Sequence, residues 1–253
     1  MSAVPREYDR IGGRYSATRR TDPRIAARVA AALGDASTVL NVGAGTGSYE
    51  PYDRQVVALE PSAVMLAQRP AGSAPAVRAA AEALPFRDAS FDAVMGVLTV
   101  HHWADWRRGL AEVRRVARRR VVLLTSDQDG WERFWLGRDY VPALVTVDRQ
   151  RYVPIPLILE ALGGGRAIAV PIPRDCLDGF TGSFWARPEA YLDPDVRAGM
   201  SIFTRIPPEE TAEGLARLAH DLETGEWDRR YGRLRGLDAY DIGYRLVVAE
   251  AGR

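Results

Sequence analysis

The chain has 253 residues, a formal net charge of +1 and 47% apolar residues, which suits one α/β domain with a sizeable core. Near-neutrality argues against bulk nucleic-acid binding, and no apolar run approaches the length of a membrane span. Cys176 is the only cysteine, so a disulfide within the chain is excluded and a reducing cytoplasm is the expected setting.

The segment Met1–Glu7 lacks signal-peptide character. Residues 1–21 are polar and mixed, with glycine and serine breaks that argue against one long helix. They read either as a surface arm or as a flap that brings Tyr15 and Arg19 to a bound ligand. Asp22 and Pro23 then open a helix, the first as a cap and the second in the first turn. Ile25, Val29 and Leu33 form its core-facing stripe, and Gly34 stops it. A buried strand follows at 38–42.

The stretch Gly43-Ala44-Gly45-Thr46-Gly47 comes directly after that strand. Glycines at alternate positions permit positive φ and let the backbone approach a ligand closely. A second apolar run, Gln55–Leu59, ends in Glu60, and Pro61-Ser62 starts a helix through Met65 and Leu66. An acid at the end of the second strand is where a doubly wound fold places the group that binds a ribose diol. Ala76–Arg78 reads as a short third strand. Residues 81–92, which include Ala81 and Glu82, read as a loop into a fourth strand, Ala93–Leu98, that contains Val97. His101 and His102 follow it. Asp105 caps a helix with Leu110, Val113 and Ala117 inward and arginines outward, which is a solvated face rather than a basic patch. A fifth strand is expected at 120–126.

Alternation of β and α units implies a doubly wound, mostly parallel sheet with helices on both faces and a ligand site over the C-terminal strand ends. Residues 127–165 concentrate Trp131, Phe134, Trp135 and Tyr140. They read as a helical lid whose rings are divided between core and pocket. A sixth strand is expected at 166–173, a helix at about 209–223, and a closing strand at 240–249. The domain assignment is thus a flap and cofactor core over 1–126, with lid, insert and last two strands of the same domain over 127–253.

A dinucleotide fingerprint needs a third glycine three residues after Gly45, and that position is Ser48. The pattern present is G-x-G-x-G. In this and in three further segments the chain resembles class I S-adenosylmethionine-dependent methyltransferases, the small-molecule group similar to ubiquinone/menaquinone-type enzymes. The segments are Val39–Gly47, Leu59–Ser62 with Met65-Leu66, Ala81–Phe86 with Ser90–Val94, and Leu110–Val116. Two positions depart from the family pattern. Ala80 stands where an Asp is common, and Arg118-Arg119-Arg120 replaces Pro-Gly-Gly.

The resemblance implies a seven-stranded Rossmann-like fold with S-adenosyl-L-methionine as cofactor and S-adenosyl-L-homocysteine as product. It implies cofactor contacts from Tyr15, Arg19, Gly43, Ala44, Gly45, Thr46, Gly47, Glu60, Pro61, Met65, Ala81, Glu82 and Val97. His101 and His102 are the acid–base candidates, because imidazole titrates near neutrality; the alternative is that they only pack the turn after the fourth strand. His220 reads as structural. Asp175, Cys176 and Asp178 either line the acceptor pocket or stabilise their loop. No spacing of ligands supports a metal site. The expected activity is methyl transfer to a small-molecule acceptor, with no nucleic-acid or membrane partner. The alternative is a protein that binds the cofactor without methylating, as a rearrangement catalyst or a regulator.

Overall fold

A computed structural model describes residues 19–251; Tyr15 lies outside them. The strands are β1 (Thr38–Val42), β2 (Gln55–Leu59), β3 (Ala76–Val77), β4 (Phe91–Val97), β5 (Ala117–Ser126), β6 (Arg166–Ala169), β7 (Ile172–Pro173), β8 (Ala239–Tyr240) and β9 (Tyr244–Glu250). Seven of them form one sheet in the order β3-β2-β1-β4-β5-β9-β6, and β7 pairs with β8 apart from it. The first five strands run parallel. β9 is antiparallel to both its neighbours. Chain order reverses between β1 and β4, which makes the C-terminal ends of those two strands the switch point of the sheet.

The near-continuous apolar runs of β1, β4 and β5 follow from burial on both faces. Side chains alternate across the sheet with period two. Val39, Met95, Val122 and Leu124 join one core cluster, while Leu40, Val42, Val94, Val121 and Leu123 join the other. Helix α1 (Pro23–Leu33) covers the first face with Ile25, Val29 and Leu33, and its Asp22 cap accepts from the Arg24 amide. The second face is covered by α3 (Trp106–Val116), which follows the short α2 (Ala63–Ala67), through Leu110, Val113 and Val116.

Several boundaries differ from the sequence reading. β4 begins at Phe91, inside the expected loop, and ends at Val97 rather than Leu98. Ala117, expected in the helix, is the C-cap of α3 and the first residue of β5. The arginines that replace the family's glycines make this possible. Arg118 pairs with Asp92, Arg119 with Asp35, and Arg120 donates to the Ala32 carbonyl. The run 166–173 divides at Val170-Pro171 into β6 and β7, since proline cannot donate to a ladder. The closing strand starts at Tyr244 because Gly243, at φ 102°, turns the chain after β8.

Residues 127–238 carry α4 (Gln128–Arg133), a π-turn over Leu136–Tyr140, α5 (Ala143–Arg151), α6 (Ile155–Ala161), α7 (Pro194–Ala198), α8 (Pro208–Glu223) and α9 (Glu226–Tyr231). Their core is aromatic. Trp135 meets the rings of Trp227, Tyr191 and Tyr140 edge-on at 5.3, 5.7 and 5.8 Å, a favoured arrangement for ring quadrupoles. Its indole N–H donates to the Trp185 carbonyl. Phe134, Trp135 and Tyr140 are core residues, and Trp131 lines a cavity above the sheet. No helix among the described residues is long and apolar enough to cross a membrane.

Candidate active site

The rim over the C-terminal strand ends has two halves. The first is made mainly of backbone. Gly43, Gly45 and Gly47 have φ of 71°, 53° and 101°, values an L side chain rarely adopts. Gly43 is also sterically required, because a Cβ there would lie 1.9 Å from Thr99 Oγ1. The Gly43 and Ala44 amides both donate to the Leu59 carbonyl at 2.8 and 3.0 Å, which locks the loop to the end of β2. One residue later, Glu60 is 6% exposed. Its two carboxylate oxygens accept from the Gly45 and Ser62 amides, each at 2.9 Å.

Ser62 caps α2 by accepting from the Met65 amide. The Met65 methyl lies under the loop, 3.2 Å from where a Gly45 Cβ would be. Thr46 is half-buried in the same loop. The Pro61 carbonyl accepts from Arg78. Ala81 is buried, and Glu82 accepts from the Asp105 amide at 3.1 Å. Val97 is the last residue of β4. A support for the loop that sequence reading missed is a network behind it: Asn41 donates to Glu50, and Arg69 pairs with the other Glu50 oxygen at 2.8 Å. Its members, one in β1 and two in separate loops, follow no motif.

The second half is made of side chains. Leu98 leaves β4 with φ 51°, an uncommon conformation for a bulky residue. A 3-10 turn, Val100–His102, follows. His101 stacks on Tyr152 at 4.1 Å and lies 3.9 Å from His102, ring centre to ring centre. Arg151 Nη2 donates to His102 Nδ1 at 2.8 Å. Arginine cannot accept, so this bond assigns the neutral His102 its proton on Nε2. His101 Nδ1 has no hydrogen-bond partner among the described residues. Burial, above all, pushes both imidazoles well below their usual range, and for His102 the Arg151 charge adds to it. Each ring is therefore neutral at pH 7 and a weak base.

Arg19, which the resemblance puts near the cofactor, lines the same cavity as His101, His102, Arg151 and Trp131. Its Nε donates to Asp178 Oδ1 at 2.6 Å, and Tyr49 Oη donates to Asp178 Oδ2 at 2.7 Å. Asp178 thus ties the N-terminal segment, the glycine turn and the 175–185 loop together. Asp175 pairs with Arg24, and Cys176 is buried. His220 is exposed on α8, away from the cavity lining. Arg151, Tyr152, Phe180 and Tyr244 also line the cavity. They come from three separated stretches, so no local spacing announced them.

The methyltransferase-domain family model matches residues 40–125. A solved structure from Anabaena variabilis, which carries the description of a methyltransferase from an antibiotic biosynthesis pathway, is 34% identical. It covers 92% of this chain and 98% of its own, with a TM-score of 0.84. The YcgJ protein of Bacillus subtilis shares the fold at 17% identity, 89% and 96% coverage and a TM-score of 0.51. No curated protein sequence matches the chain. The sheet order, the glycine turn and this relationship define a Rossmann-like methyltransferase. The chain belongs to the class I S-adenosylmethionine-dependent methyltransferases.

Proposed function

We propose that the chain transfers a methyl group from S-adenosylmethionine to a small-molecule acceptor held in the His101–His102 cavity. The observation that carries this reading is the juxtaposition at the β1/β4 switch point. A positive-φ glycine turn and a buried carboxylate end two strands on one side, and a cavity lined by histidine, arginine and aromatic rings opens on the other.

The first half fits the cofactor. Glu60 accepts from the Gly45 and Ser62 amides, which hold its carboxylate at the end of β2, where a ribose diol is bound in doubly wound folds. Gly43 to Gly47 let the backbone come close, Met65 and Val97 provide apolar walls, and Pro61, Ala81 and Glu82 flank the adenine side. Arg19 lies in the cavity lining beside the two histidines. When bound, the cofactor supplies a methyl group already activated on a sulfonium. The protein then contributes proximity and in-line orientation. His102, with its proton on Nε2, can only donate to the acceptor, whereas His101 has an Nδ1 without a partner among the described residues and is the ring that can take a proton from it. Net charge +1 suits a metabolite better than nucleic acid. The lone buried thiol suits a reducing cytoplasm.

Calorimetry with S-adenosylhomocysteine tests the cofactor site. Glu60→Ala should weaken binding roughly 10- to 100-fold, the scale of hydrogen bonds to a charged group; unchanged affinity refutes the assignment. A mass gain of one methyl in a metabolite pool separates transfer from binding alone.

A further inference from the structure

Tyr49 follows the glycine turn directly, and its backbone φ is 66°. A bulky residue in the left-handed region is a true outlier, and such a conformation persists only where its surroundings over-determine it. Three contacts fix Tyr49. Its side chain is buried in the core cluster that α1 covers. Its amide donates to Thr21 Oγ1 at 3.0 Å. Its phenol donates to Asp178 Oδ2 at 2.7 Å. Burial first, and the Asp178 charge next, push that phenol well above its usual range, so it stays a donor.

The far side of Asp178 faces the acceptor cavity wall. Its carboxylate accepts from Arg19 Nε at 2.6 Å and from Arg19 Nη2 at 3.3 Å, so the guanidinium goes where the carboxylate goes. Arg19 lines the cavity, and its guanidinium lies 6.0 Å from the centre of the Phe180 ring. Phe180 and Thr181, two and three residues beyond Asp178, line the cavity as well. A second set of contacts runs beside the first. The Leu177 amide donates to Asp22 Oδ2 at 3.1 Å, and Arg24 pairs with both Asp22 and Asp175. The segment 175–178 is thus bonded to residues 19–24, which are bonded in turn to Tyr49 through Thr21. Among the described residues, the cavity lining includes neither Tyr49 nor Asp178, so both act on the cavity through other side chains.

We propose that Tyr49 is a positioning residue for the acceptor half. Through Asp178 it holds Arg19 and the Phe180–Thr181 wall in register with the glycine turn, so a ligand seated on the turn also orders that wall. The physical basis is shared order: a ligand that stills the turn stills the phenol bonded to it, and the wall then has less freedom left to lose when the acceptor enters. The proposal rests on the methyl-transfer reading above and adds the link between its two halves.

The test is amide hydrogen exchange of the full chain with and without saturating S-adenosylhomocysteine. In the unmodified chain the ligand should slow exchange about threefold or more both at 43–48 and at 176–183. Tyr49→Phe removes only the phenol hydroxyl. It should keep the protection at 43–48 and hold S-adenosylhomocysteine affinity within about threefold of the parent, while the ligand-dependent protection at 176–183 disappears. Asp178→Asn keeps an acceptor oxygen for Tyr49 and should retain part of that protection, which guards the result against a fold defect peculiar to one variant. A merely structural hydroxyl would speed exchange at 176–183 equally with and without ligand and leave the ligand-dependent difference intact. That outcome overturns the inference, as does a parent chain whose 176–183 segment ignores the ligand while 43–48 responds. Failure of S-adenosylhomocysteine to bind the unmodified chain would instead overturn the methyl-transfer reading.

Discussion

The two halves of the rim are built on different principles. The half proposed for the cofactor uses main-chain amides, glycine conformations and one carboxylate, all within residues 43–62. The half proposed for the acceptor uses side chains from residues 19, 98, 101, 102, 131, 151–152, 180 and 244. A backbone site is specified locally and tolerates little change, whereas a side-chain site is assembled by tertiary packing and can be altered one contact at a time. This contrast predicts how the two halves break.

The largest effect should come from the backbone half. Gly43→Ala requires a Cβ within 1.9 Å of Thr99 Oγ1 at a φ of 71°. Thr99 Oγ1 also accepts from Trp103 Nε1, so it cannot simply rotate away without stranding a donor. The expected cost is about 3 kcal/mol or more, from overpacking plus left-handed strain. Thermal unfolding should show it together with loss of S-adenosylhomocysteine binding. A variant of near-normal stability would show that the loop yields and that the two halves are less different than the geometry implies.

Next comes the joint between the halves. Asp178 accepts from Arg19 and Tyr49 while wholly buried. Asp178→Ala strands a guanidinium and a phenol and should cost about 3–5 kcal/mol, as removal of one partner from a buried ion pair does. Asp178→Asn keeps an acceptor and should cost less. If chemical denaturation finds the Ala variant within 1 kcal/mol of the parent, the joint carries no load and the halves are independent.

The contrast in construction also explains what the sequence made legible. Strand β1, the glycine turn and Glu60 were readable because their chemistry follows from local spacing: an apolar run, alternate glycines, an acid at the next strand end. The mostly parallel, doubly wound sheet followed from βα alternation. Of the cavity lining, the sequence made His101 and His102 readable on the turn after β4, Arg19 as a ligand contact, and Trp131 among rings divided between core and pocket. Arg151 reaches His102 because α5 packs over that turn, a tertiary fact with no local signature. The arginine run at 118–120 misled at one point. Its capacity to pair with Asp35 and Asp92 lets the strand begin at Ala117. Trp131 and Trp135 are both buried in the aromatic core, but only Trp131 also borders the cavity, because α4 ends at Arg133 and the π-turn carries Trp135 away from it.

Asp148 gives a prediction of the opposite sign. Burial raises its carboxyl to about 8, with Arg151 opposing, against about 3.9 for an exposed aspartate. The unfolded chain releases this proton near pH 4 while the folded chain keeps it, so this group lowers stability as pH rises from about 4 to 8. Asp148→Asn removes that penalty. It should stabilise by about 2–4 kcal/mol at pH 8 and by little at pH 4, allowing for relaxation around a shift of this size. Melting curves of both proteins at several pH values check the sign. A constant difference across pH would mean that the carboxyl is not protonated in the fold.

The smallest effect is expected at Leu98, where the two halves meet. Its φ of 51° costs about 1–2 kcal/mol for a non-glycine residue, yet its side chain forms part of the cavity wall. Leu98→Gly relieves that strain. It also adds unfolded-state entropy worth about 0.5–1 kcal/mol and forfeits about 1 kcal/mol of apolar burial from a half-buried leucine. These terms nearly offset, so stability should stay within about 1 kcal/mol of the parent. The wall, however, is gone, and methyl transfer should fall with S-adenosylhomocysteine affinity unchanged. Such a split would show strain retained for the shape of the acceptor cavity, whereas equal loss in stability and cofactor affinity would make Leu98 an ordinary core residue whose backbone is set by packing alone.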